Sequence, residues 1–211
     1  YFRELLGDVD EPTAPFGLID AFGDGSRNME CHHGLDPGLS RRLRTAAREA
    51  SVSVATLAHL AWSLVLACTC GRDDVVFGTV MFGRMHGGDD ADRAMGLFIN
   101  TLPVRIRIGD IDVRKGVRLT HEALVGLLRH EHAPLNLAQR CSAVRAPLPL
   151  FTSLMNYRHV GDASAARTNT DADAGADANP YTDSDAAMPW AGMRLMSEHE
   201  HSNYPFNLLF N

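Results

Sequence analysis

The chain has 211 residues, 45% of them hydrophobic and 22% charged, with a formal net charge of -6. That length and composition belong to a globular protein with enough chain to bury the core of one or two domains, and they exclude disorder throughout. The negative balance argues against a phosphate-tracking surface, so no nucleic-acid partner is expected, although Arg41, Arg42, Arg44 and Arg48 form a local basic group.

Four cysteines (Cys31, Cys68, Cys70, Cys141) are too scattered for a disulfide framework and read as reduced thiols, which places the chain in the cytoplasm. No charged segment followed by an apolar run opens the sequence, and a start at Tyr1 rather than Met reads as a piece of something longer. Residues 52–70 are the most apolar stretch, but Ser53, Thr56, His59, Ser63 and Thr69 interrupt it, so a buried helix is expected there and no membrane span.

In chain order, residues 1–30 carry Gly7, Pro12, Pro15, Gly17, Gly23 and Gly25 at short intervals, which predicts loops and short extended pieces acting as a connector. Asp36 then offers an N-cap and Pro37 a first helical position, and Leu39, Leu43, Ala46, Ala47 and Ala50 recur at helical spacing. Ser53 caps a second predicted helix with a stripe of Leu57, Leu60, Ala61, Leu64, Val65 and Cys68, expected to be largely buried. The run at 75–82 is β-branched and apolar without a 3.6-residue period, as a strand covered on both faces requires. After a Gly- and Asp-rich loop at 83–92, residues 100–108 alternate, with Leu102, Val104, Ile106 and Ile108 on one face and Thr101, Pro103, Arg105 and Arg107 on a wet one; Pro103 points to an edge. A third helix is predicted over 113–132 and a strand over 150–157. Residues 161–187 lack large apolar side chains and predict a mobile loop, followed by strands at 193–199 and 206–210, the last of which the chain leaves unfinished. The class is α/β, a mixed β-sheet covered by helices.

The ten histidines do not assemble a metal site by spacing. Cys31, His32 and His33 lie beside Asp36, but Asp36 is better used as a cap, and adjacent residues of an extended segment point to opposite faces. His130-Glu131-His132 lacks the i, i+4 spacing of a zinc helix, and His199 with His201 has no visible third ligand. No nucleophile elbow, P-loop or dinucleotide fingerprint is present. The local chemistry offers no catalytic residue and no metal site.

Residues 95–105, MGLFINTLPVR, resemble the G-x-F-x-N-T-x-x-x-R motif of condensation domains in nonribosomal peptide synthetases. Four further segments stand in that family's order: DVVFGTVMFGR at 74–84, HEHAPL at 130–135, PLFTSLMNY at 149–157 and SNYP at 202–205. With the YFRELL opening, the resemblance covers essentially the whole chain. It implies a lobe of the chloramphenicol acetyltransferase-like fold, with residues 1–30 connecting from a missing N-terminal lobe and 31–211 forming a C-terminal lobe incomplete at its end. The implied activity is peptide-bond formation between donor and acceptor groups carried by upstream and downstream peptidyl carrier protein domains, with an adenylation domain adjacent. Phosphopantetheine arms of those carriers are the implied cofactors, none being bound directly. The family's base motif, HHxxxDG, belongs to the other lobe; His32-His33-Gly34-Leu35-Asp36-Pro37-Gly38 puts Pro37 where the aspartate belongs.

The implied substrate-channel residues are Asn100, Gly96, Phe98, Gly78 and Gly83. Asn100 either faces the channel or ties the strand entrance, the glycines admit close backbone approach, and Arg84 and Arg105 read as ion-pair partners. The wording HEHAPLNLAQRCS resembles the dual epimerisation and condensation type. A non-catalytic carrier-docking module is the alternative reading.

Overall fold

The computed structural model describes residues 1–20, 29–83, 96–158 and 202–211. In chain order these form helix α1 (Phe2–Leu6), a 3-10 turn at Pro15–Gly17, helices α2 (Pro37–Glu49) and α3 (Val54–Cys70), and strands β1 (Asp74–Met81) and β2 (Asn100–Arg107). Helices α4 (Val113–Leu128) and α5 (Leu135–Arg140) follow, then strands β3 (Ser153–Tyr157) and β4 (Phe206–Phe210). The sheet order is β2-β1-β3-β4, with β1 and β2 antiparallel and the other two pairs parallel. The class is therefore the mixed α/β one that the patterning predicts. The expected loop at 161–187 and strand at 193–199 lie outside the described residues, as does most of the loop expected at 83–92.

The helix starts follow local chemistry. Asp36 Oδ1 accepts from Leu39 N at 2.9 Å with Pro37 in the first turn, and Ser53 Oγ accepts from Thr56 N at 3.2 Å. Helix α3 nevertheless turns a different side inward from the one its apolar stripe predicts. Thr56, His59, Leu60, Trp62, Ser63 and Leu66 are buried, while Leu64 and Val65 are 46% and 42% exposed. The polar members of the inner face earn burial through partners: Ser63 Oγ donates to Leu60 O at 2.7 Å, and Trp62 Nε1 donates to Ser153 Oγ at 3.2 Å. Each large apolar side chain held fully inside, such as Phe77 or Leu66, contributes about 2 kcal/mol.

His59 closes the contact between α3 and β1. Its Nδ1 donates to Ala55 O at 2.7 Å, which leaves Nε2 to accept from the Thr79 hydroxyl at 2.8 Å. Burial pushes its pKa below the ordinary 6.5. The unfolded chain therefore takes up the proton first as pH falls. The His59 contribution is complete above about pH 6.5 and declines below it. Acid denaturation followed between pH 7 and 5 should show a steeper loss for the wild type than for His59→Leu; parallel curves would remove this role.

The first 18 residues depart most from expectation. A connector of loops was predicted, but Phe2 and Leu6 of α1 and Val9 are buried in the core. Thr13 forms a parallel bridge with Phe151, and its hydroxyl accepts from Val76 N at 2.9 Å. Below their shared pair at Gly78 and Leu154, strands β1 and β3 separate, and Thr13 fills the gap. Leu5 and Asp8 of this segment also bond Arg105 on the face of β2 expected to be wet, where Pro103 and Arg105 are buried. Pro103 does sit on an edge strand of the described sheet. Helix α4 stops at Leu128, four residues before the expected end, and α5 was not anticipated at all because six residues carry too little period to see.

A candidate channel face

One face of the sheet belongs to α3: Thr79 meets His59, Ser153 meets Trp62, and Trp62 stacks on Phe206 with ring centroids 4.9 Å apart. Alternation along the strands puts Val76, Gly78, Val80, Leu154, Asn156 and Leu209 on the other face. Its lower half is covered by the N-terminal segment and by Phe151. The upper half is open: Val80, Leu154 and Asn156 are half-buried and Leu209 is exposed. Beside it, at the ends of β1 and β2, Leu97 is 89% exposed, and Phe82 and Ile99 are exposed as well. An apolar sheet face left open to this extent marks a surface that receives something.

Asn100 is placed at the entrance of β2, and its amide is fully engaged there. Nδ2 donates to the carbonyls of Glu131 and Ala133, both at 2.8 Å, and Oδ1 accepts from Thr101 N at 2.9 Å. It thereby pins the turn between α4 and α5 to the sheet. Gly83 has φ +67°, and a Cβ there would lie 2.2 Å from the Phe98 carbonyl oxygen, so the two arms of the β1–β2 connection touch backbone to backbone. Gly96, at φ +152°, lies against the Phe98 ring, where a Cβ would be 3.1 Å from Cε2. Gly78 is filled instead by Phe151, whose Cε2 would be 2.6 Å from an added Cβ. Four of the five residues (Asn100, Gly96, Phe98, Gly83) thus gather at one end of the sheet, and the fifth, Gly78, lies within its face.

Arg105 is an ion-pair residue, as its type and position suggested. Its Nε donates to Asp74 Oδ1 at 2.9 Å, Nη2 to Asp8 Oδ2 at 3.0 Å and Nη1 to Leu5 O at 2.7 Å. Arg107 adds a bond to Asp8 Oδ2 at 2.9 Å. The Arg105 hydrogen bonds hold the Asp8 carboxyl down at about 2 and raise the guanidinium above its usual range. Arg84 lies outside the described residues.

Among the described residues His32, His33, His130 and His132 stand apart from one another's chemistry. His32 and His33 are exposed ahead of α2, outside any helix or strand, and Asp36 is occupied as a cap. His130 stacks on Tyr1 at 4.1 Å and bonds Gly126 O at 2.9 Å; Glu131 points inward while His132 remains exposed. His199 and His201 lie outside the described residues. Among the described residues no three His, Cys, Asp or Glu side chains could hold a metal ion, and no single helix is long and apolar enough to cross a membrane. Burial pushes the Cys70 thiol up, the reverse of what a nucleophile needs. One residue escaped the sequence reading: Asn156, on the open face, has a buried Oδ1 with no hydrogen-bond partner among the described residues. Its signal was the polar residue inside SLMNY, at a position alternation assigns to the same side as Leu154.

The described residues thus form an α/β lobe with one half-open sheet face. The family described as Condensation domain matches residues 24–209. The chain belongs to that family. It is 44% identical over 208 residues to malpinin synthetase and 45% identical over 208 residues to malpibaldin synthetase, both of Mortierella alpina, matching 99% of this chain in each case. The chain spans only 2% and 3% of the length of those relatives. Among solved structures, the first condensation domain of the CDA synthetase superposes with a TM-score of 0.57 at 22% identity, covering 75% of this chain and 34% of that one. The condensation domain of the monacolin K polyketide synthase MokA superposes with a TM-score of 0.52 at 21% identity, covering 72% and 38%. These two likenesses establish the condensation-domain, chloramphenicol acetyltransferase-like fold.

Proposed function

We propose that this chain is part of a condensation domain of a nonribosomal peptide synthetase, where it walls one side of the channel in which an acceptor amine attacks a donor thioester. The observation that carries this reading is the half-open sheet face, apolar through Val80, Leu154 and Leu209. Donor and acceptor would arrive on the phosphopantetheine arms of upstream and downstream peptidyl carrier domains, activated by a neighbouring adenylation domain in the cytoplasm. Holding two arms end to end supplies much of the rate of such a step, since positioned reactants avoid the entropy of encounter. Residues 1–30 would link this C-terminal lobe to an N-terminal lobe bearing HHxxxDG, which supplies the base. Residues Gly83, Gly96 and Phe98 shape the channel rim, Asn100 holds that rim in place, and Gly78 lets Phe151 settle into the floor.

The test is a condensation assay with loaded carrier domains, comparing this chain alone with this chain joined to an HHxxxDG lobe. Amide product only from the joined form is expected. Product from this chain alone would overturn the assignment of the base to the other lobe. Carrier binding without product from either form would favour a non-catalytic docking module. Supplying donors of both configurations in the same assay tests the dual epimerisation and condensation type.

A further inference from the structure

Gly78 is out of character for its strand. Between Val76 and Val80, where β-branched side chains fill the pleated surface, a glycine packs nothing and costs backbone entropy. Its φ is not among the positive ones of this chain, and the β1–β2 register runs through it unbroken, so neither a turn nor a bulge requires it. The reason is Phe151. A Cβ on residue 78 would lie 2.6 Å from the Phe151 Cε2, 3.0 Å from its Cζ and 3.0 Å from Leu154 Cδ1, so the ring meets Leu154 over the bare point of the face. Phe151 is 4% exposed and is held twice: Thr13 bridges its backbone, and Tyr204 stacks on its ring with centroids 5.7 Å apart. Asn207 Nδ2 donates to Tyr204 O at 2.9 Å and keeps that second residue in place.

The open part of the face starts where this ring ends. From Gly78 to Val80 the strand advances two residues, about 7 Å, and β1 finishes at Met81. Val80 and Leu154 are half-buried, Leu209 is 42% exposed, and all three are aliphatic. None of Gly78, Val80, Leu154, Asn156 and Leu209 is ionisable, so a charged side chain laid on them would lose water without gaining a partner. A branched aliphatic chain fits the length of the wall. A longer or aromatic one runs into a ring already packed against Gly78, Leu154 and Tyr204.

We propose that Phe151 is the stop of a side-chain subsite on the open face, and that the aminoacyl group condensed there carries a short branched aliphatic side chain, valyl or leucyl in size. The inference rests on the condensation reading above and names the substrate class of its open face. Donor and acceptor groups both carry side chains, so the experiment varies each in turn.

The experiment uses the whole synthetase, with alanyl, leucyl, phenylalanyl and lysyl groups preloaded on the carrier domains so that adenylation does not select them. They are varied first on the donor carrier and then on the acceptor carrier, and kcat/KM is compared within each series. On one of the two carriers the wild type is expected to prefer leucyl over alanyl and over phenylalanyl by about tenfold each, and to use lysyl least. Phe151→Leu, which shortens the floor and keeps it apolar, should cut the preference for leucyl over phenylalanyl about tenfold. Leu154→Phe, on a half-buried position that tolerates change better than Phe151, should move the preference to alanyl. Unchanged ratios, or an equal slowing of all four groups in both variants, would make Phe151 a packing residue and overturn the stop. A wild type that prefers phenylalanyl or lysyl on both carriers would overturn it as well. A wild-type synthetase that forms no amide from any of the four overturns the condensation reading, and this inference with it.

Discussion

Replacing Arg105 with methionine is expected to destabilise the lobe by about 3 kcal/mol, read as a fall in the denaturant midpoint at unchanged slope. The Arg105 side chain is 5% exposed and satisfies Asp74, Asp8 and the Leu5 carbonyl together. Methionine keeps the aliphatic bulk but leaves the Leu5 carbonyl without this donor and hands both carboxylates to Arg107 alone. Asp8 and Asp74 are partly open to solvent, which keeps the figure at the low end for a buried pair. The pH signature separates this effect from a simple packing loss. Because the Asp8 carboxyl is held at about 2 against an ordinary 3.8, its contribution is complete above about pH 4 and is lost as pH falls toward 2. In Arg105→Met the Asp8 titration, followed by NMR, should move back toward the ordinary value. A methionine variant as stable as the wild type would show that the cluster contributes nothing net.

Asn100→Leu is expected to cost about 2 kcal/mol and to do so locally. Leucine matches the amide in size but releases the Glu131 and Ala133 carbonyls and the Thr101 amide. Hydrogen exchange should quicken at Thr101 and through the turn between α4 and α5, while β3 keeps its protection. In the joined two-lobe form, carrier-bound turnover should fall with that loss of order. Lost turnover with exchange and stability intact would instead make Asn100 a group that touches substrate.

The elements with strong local chemistry were legible in the sequence. Asp36 with Pro37 and Ser53 announced two helix starts, and the β-branched run around Val75 and Val76 announced a strand buried on both sides. Residue motifs carried the family. What stayed hidden depended on partners distant in sequence. The rotation of α3 is decided by Thr79 and Ser153, which give His59 and Trp62 reasons to be inside that no helical period contains. Arg105 looked wet because alternation put it opposite Leu102 and Val104, and only the docking of α1 and Asp8 over it turns that face inward. The open upper face could not be read at all, because exposure of Leu154 and Leu209 is set by what covers them rather than by their own type.

The N-terminal strap also orders events in time. Leu5 and Arg105 are 100 residues apart in the chain, so a ribosome adding about 5–20 residues per second makes Leu5 wait on the order of ten seconds for its partner. Thr13 waits longer for Phe151. During synthesis Phe2, Leu6 and Val9 therefore emerge well before the core residues that bury them, and a chaperone that shields short apolar segments near the exit tunnel should influence the yield of this lobe more than its final stability.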